Sequence, residues 1–67
     1  MVLTVDVGNT NIVVGVYDRD RLRFISRLAS DQNRTADETA VLLQSVFSIH
    51  DIDIHSIDGA IISSVVP

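Results

Sequence analysis

The chain has 67 residues, enough for one small domain, and a domain of this size buries only about 60% of the surface its unfolded chain exposes. Nine acidic residues stand against five basic ones, all arginine, so the net charge of -4 argues against a nucleic-acid backbone as the main partner. The absence of cysteine excludes disulfides and thiolate metal sites, while a hydrophobic content of 46% is too high for a disordered chain.

The N-terminal MVLTVDVG lacks a basic leader and its apolar run is broken by Asp6, which does not read as a signal peptide. No stretch approaches the roughly 20 apolar residues of a membrane span, so no membrane is expected as a partner and the expected location is the cytoplasm. Residues 2–7 are β-branched and apolar apart from Thr4 and Asp6, the pattern of a central strand covered on both faces. Residues 12–17, IVVGVY, repeat that pattern, with Gly15 marking a bulge or a close backbone approach. Four charged residues, 18–21, form a solvated hairpin tip. Residues 22–28 then alternate, Leu22, Phe24, Ser26 and Leu28 on one face and Arg23, Ile25 and Arg27 on the other, as expected of a half-exposed strand near an edge.

After the polar loop ASDQNR, Thr35 and Glu38 in TADE match a capping box, and Asp37 and Glu38 fall where the helix dipole favours acids. The helix is expected to run to about Ile49, with Ala36, Ala40, Leu43, Val46 and Phe47 as its packing face and Leu42 also in the core. His50, Asp51, Asp53 and His55 fit no common zinc spacing and read as a solvated connector. Residues 59–66 form a last apolar strand closed by Pro67. The order is β-β-β-α-β: three antiparallel neighbours, then a helix and a right-handed crossover to a strand parallel to the first. A single helix cannot cover several strands on both faces, so the chain reads as the front part of an α/β domain.

The stretch DVGNTN carries the chemistry. Asp6 precedes the end of the first strand, where ligands bind in open α/β sheets, and its carboxylate is suited to Mg²⁺, which takes hard oxygen ligands together with substrate phosphates. Gly8 permits close backbone approach, Asn9, Thr10 and Asn11 add polar side chains, and successive N–H groups in such a turn can form an anion nest. The alternative is an ordinary hairpin turn, since Gly and Asn are common there. A buried carboxylate at a strand end needs a partner, which favours the ligand reading. A Walker A loop is excluded by the glycine spacing, the absence of lysine and the strand that follows.

DVGNT followed by Gly15 resembles the first phosphate motif of the acetate and sugar kinase, Hsp70 and actin superfamily. Together with RTADE (34–38) and ISSVVP (62–67), it resembles more particularly the type III pantothenate kinases, also labelled Bvg accessory factors. The resemblance implies a ribonuclease H-like, actin-like ATPase fold duplicated in two domains. This chain would be a half-domain with a mixed sheet, the N-terminal part of the first domain. It further implies ATP between the domains, Mg²⁺, a monovalent cation such as K⁺ or NH₄⁺, a homodimer, and transfer of the γ-phosphoryl group to pantothenate, the first step of coenzyme A synthesis. Carried over by position, Asp6 is the metal-linked carboxylate, and Gly8, Asn9 and Thr10, with Asn11 beside them, surround the ATP phosphates.

Ser63 and Ser64, at the end of the last strand, are read as lining residues or as ordinary strand-end hydroxyls, and Arg34 as a surface arginine rather than a ligand or subunit contact. Family members are several times longer, and the general-base aspartate, pantothenate pocket and second phosphate motif are expected beyond Pro67, so this chain alone is expected to be inactive. The rival readings are another kinase or phosphatase of the superfamily, a transcription accessory factor, or a non-catalytic interaction module.

Overall fold

A computed structural model describes residues 1–64. Strands β1 (Val2–Val7), β2 (Asn11–Asp18) and β3 (Arg21–Ala29) precede helix α1 (Ala36–Ile49), a 3₁₀ turn (Ile54–Ser56) and strand β4 (Gly59–Ser64). They form one mixed sheet in the order β3-β2-β1-β4, with β1–β2 and β2–β3 antiparallel and β1–β4 parallel. The fold is therefore the expected α/β, actin-like or ribonuclease H-like half-domain. The predicted continuation of the last strand through 65–66 and its stop at Pro67 lie outside the described residues.

Side chains alternate across a strand, so the registers divide the sheet into two faces. Val14 and Val16, on central strand β2, are fully buried and lie on the same face as their partners Val5 and Leu3 of β1 and Ser26 and Phe24 of β3. Helix α1 covers this face: Val46, Phe47 and Ile52 join Val14, Val16 and Phe24 in the core, with Leu3, Ile12, Leu28 and Leu43 packed around them. Phe24 and Phe47 meet edge to face with ring centroids 6.2 Å apart, a favoured aromatic geometry.

Thr35 caps α1 as its sequence requires. The Glu38 N–H donates to Thr35 Oγ1 and the Thr35 N–H donates to Glu38 Oε1, each at 3.1 Å. At the other end, Asp51 adopts a left-handed φ of 56°, the Ile52 N–H donates to Phe47 O and the Asp51 N–H to Ser48 O. This is a Schellman arrangement, and it drops Ile52 into the core against Phe47. No helix among the described residues is long and apolar enough to cross a membrane.

Several expectations need correction. Ala36 and Ala40 are exposed, and Leu42 lines an open groove with Asp31, Arg34, Asp37, Glu38 and Val41 where a core position was expected. Strand β3 is an edge strand as expected, but its register slips so that Phe24 pairs with Val16 while Leu22 pairs with Tyr17. The bulge leaves Arg23 unpaired and puts Leu22 out of step with Phe24. Gly15 lies in regular pairing and marks a close approach: a Cβ there would sit 2.8 Å from Thr4 Oγ1. Finally, β1 and β4 are not buried on both faces. In β1 Asp6 is exposed on the side away from the helix, and β4 is exposed along its whole length, Ile62 on the helix side as well as Ile61 on the other.

Candidate functional site

Asp6 is the penultimate residue of β1 and lies in register between Val13 of β2 and Ser63 of β4. Partners in register share a face, so the three side chains stand together on the face opposite α1. Ser63 Oγ donates to Asp6 Oδ1 at 3.2 Å. A buried carboxylate in need of a partner is expected at Asp6. It is instead exposed, because no described element covers that side of the sheet, and Ser63 is its hydrogen-bond partner. Ser64 falls one register step further, beside Val7 on the other face.

Residues 8–11 turn the chain from β1 into β2, with Asn9 and Thr10 at the exposed tip. The Gly8 N–H donates to Asn11 O at 2.9 Å, and a Cβ on Gly8 would lie 3.0 Å from that same oxygen. Gly8 thus provides space for a tight closure, since its φ is not positive. Asn11 Nδ2 donates to Thr10 Oγ1 at 3.3 Å. An anion nest of alternating right- and left-handed residues is not formed: no residue from 8 to 11 has a positive φ, and the Gly8 N–H is already engaged. The N–H groups of Asn9 and Thr10 take part in none of these bonds.

A residue that the sequence reading did not single out holds this turn. Ser30, half-buried just after β3, donates its N–H to Thr10 O at 2.9 Å and its Oγ to Gly8 O at 2.8 Å. Since Asn11 pairs with Ala29, the β2–β3 register places Ser30 opposite Thr10, and that register is the signal that could have found it. Arg34 braces the loop that follows β3, donating Nη1 to Ala29 O at 3.1 Å.

An open depression of about 230 Å³ lies beside the turn, lined by Val7, Gly8, Asn9, Ile12, Ser30, Asp31 and Gln32. Asp6 is not among the lining residues, contrary to the expectation of a carboxylate projecting into a crevice. Val7 and Ile12 belong to the helix-covered face and Asp6 to the open one. The structure therefore brings Asp6 and Ser63 together on the open face, with Gly8, Asn9, Thr10 and Asn11 at the rim where the two faces meet. The oxygen-only donor set of a carboxylate and a hydroxyl fits a hard cation that completes its shell with water and phosphate.

The connector after α1 has structural work of its own. His50, Asp51, Asp53 and His55 are exposed, as expected of a solvated connector, and His50 in addition stacks on Phe24 with ring centroids 4.2 Å apart. Asp53 accepts from the His55 N–H at 2.9 Å and caps the 3₁₀ turn.

Comparison with known proteins gives a concordant result. A family model described as type III pantothenate kinase matches residues 2–67. A type III pantothenate kinase of Exiguobacterium sibiricum is 46% identical over all 67 residues, which correspond to 26% of that protein. Proteins of the same description from another Exiguobacterium and from a Roseiflexus species are 45% and 49% identical, again over the whole of this chain and 26% of their own length. The chain thus spans about a quarter of the length of these curated relatives, and it belongs to the type III pantothenate kinase family.

Proposed function

We propose that the protein of which this chain is a part transfers the γ-phosphoryl group of ATP to pantothenate, the first step of coenzyme A synthesis. Residues 1–67 would form the N-terminal part of the first of two ribonuclease H-like domains. The observation that carries this reading is the placement of Asp6, exposed at the tip of β1 beside Ser63 and adjoining the tight turn 8–11, in a chain of this family. Phosphoryl transfer demands little covalent chemistry of the protein and depends on positioning and charge stabilisation. An exposed carboxylate at a strand tip and a turn whose Asn9 and Thr10 N–H groups are left out of the described bonds meet that demand.

Asp6 would hold Mg²⁺, directly or through water. Its Oδ1 accepts from Ser63, and Oδ2 lies outside that bond. A cation held by Asp6 would supply charge neutralisation to the phosphate oxygens. Gly8 would let the backbone lie against the phosphates, and Asn9, Thr10 and Asn11 would supply donors around them. The general base, the pantothenate pocket and the second phosphate motif would come from the part of the protein that follows. The assignment extends to a K⁺ or NH₄⁺ requirement, a homodimeric, cytoplasmic enzyme, and no role for nucleic acid.

The test is incubation of the full-length protein with Mg²⁺, ATP and pantothenate. Formation of phosphopantothenate that requires all three is expected. ATP turnover that ignores pantothenate and responds to a sugar acceptor would overturn the assignment.

A further inference from the structure

We propose that Ser30 is a positioning residue of the phosphate turn, fixing the direction in which the turn presents its amide donors. The inference rests on the function proposed above. Ser30 reaches the turn at two points, by its N–H to Thr10 O (2.9 Å) and by its hydroxyl to Gly8 O (2.8 Å). All peptide bonds described are trans, and in a planar trans peptide the carbonyl of one residue and the N–H of the next point in opposite directions. Holding the Gly8 carbonyl toward Ser30 therefore turns the Asn9 N–H away from it. The Thr10 carbonyl and the Asn11 N–H are related in the same way.

The turn has little else to hold it. Asn9, Thr10 and Asn11 are exposed, and within residues 8–11 the bonds are the Gly8–Asn11 closure and a 3.3 Å side-chain contact. Ser30 is half-buried and directly follows β3, so it supplies a restraint from outside the turn. Donors set in place before the ligand arrives cost less reorganisation when charge develops in front of them. The hydroxyl bond is the adjustable part, because the backbone bond to Thr10 survives any substitution except proline.

The experiment compares Ser30→Ala, Ser30→Val and Ser30→Thr in the full-length protein. Val and Thr have nearly the same shape and differ in the hydroxyl, so their contrast isolates the bond to Gly8 O from packing. Loss of one hydrogen bond that orients the turn raises the KM for ATP by about five- to tenfold in the Ala and Val variants. The KM for pantothenate stays within about twofold and the thermal midpoint within a few degrees, while the Thr variant stays close to wild type. A wild-type KM for ATP in both Ala and Val variants would overturn the proposal. So would a Thr variant as impaired as Val, or a parallel loss of both KM values and thermal stability. ATP affinity is also measured by titration without acceptor. A wild-type protein that binds ATP but leaves pantothenate unmodified refutes the proposed function, and the ranking of the three variants in that titration still decides the role of Ser30.

Discussion

The two faces of the sheet are made by alternate residues of the same strands, yet they differ in kind. On the helix-covered face, Val14, Val16 and Phe24 meet Val46, Phe47 and Ile52 in an apolar core, which leaves Ile62 of β4 exposed at its margin. On the opposite face, Thr4, Asp6 and Ser63 stand beside Gly15 and Val13, with Ile25 and Ile61 exposed around them. One residue step along β1 separates Val7, which lines the depression on the first face, from Asp6 on the second. Period-two alternation lets a single strand serve stability with one set of side chains and carry a carboxylate with the other. Substitutions on the covered face should therefore act on stability, and those at the tip of the open face on activity.

The largest stability effect belongs to the covered face. Phe47→Ala removes an aromatic ring packed edge to face on Phe24 and should destabilise the protein by about 3–5 kcal/mol in denaturant unfolding. A loss below 1 kcal/mol would mean that α1 is not docked as described. Gly15→Ala tests the open face as a packed surface in its own right. The added Cβ would meet Thr4 Oγ1 at 2.8 Å, so a cost of about 1–3 kcal/mol is expected, and combination with Thr4→Ala should recover most of it. Simple additivity of the two substitutions would show that the clash is not the cause.

Smaller effects come from the end of α1 that neither face buries. Thr35→Ala removes the hydroxyl acceptor of the capping box and should cost about 1 kcal/mol in unfolding free energy. The Thr35 N–H, with help from the Thr35 hydroxyl, holds the Glu38 carboxyl below its usual range. A carboxyl whose folded pKa is lowered contributes stability above its unfolded pKa and loses it as pH falls through the folded one. Thermal melts should thus show wild type slightly more stable than Glu38→Gln at neutral pH. The two should converge in acid, and a gap that widens on acidification would reverse the sign of this account.

Much of the architecture could be read from local chemistry. The β-branched runs, the charged tip at 18–21 and the reciprocal Thr35–Glu38 pair each specify their element without reference to the rest of the chain. What escaped depends on relations between elements. Asp6 looked buried because its strand is apolar, but its exposure depends on what covers the open face. Ala36 and Ala40 satisfy the helical spacing and are nonetheless exposed. The slip at Arg23 and the two bonds of Ser30 require the β2–β3 register, which no short stretch of sequence states. DVGNTN was legible as a candidate site by residue type, whereas its geometry was not. The turn closes without a left-handed residue and is held from outside by Ser30.

In the proposed function, the open-face carboxylate at the tip of β1 serves chemistry and not stability. Turnover and thermal unfolding of the full-length protein carrying Asp6→Asn test it together. The account predicts a loss of at least about 100-fold in pantothenate phosphorylation, the scale of removing one preorganised electrostatic group, with a thermal midpoint close to wild type. Unchanged turnover, or a loss of activity that merely follows a collapse in stability, would contradict it.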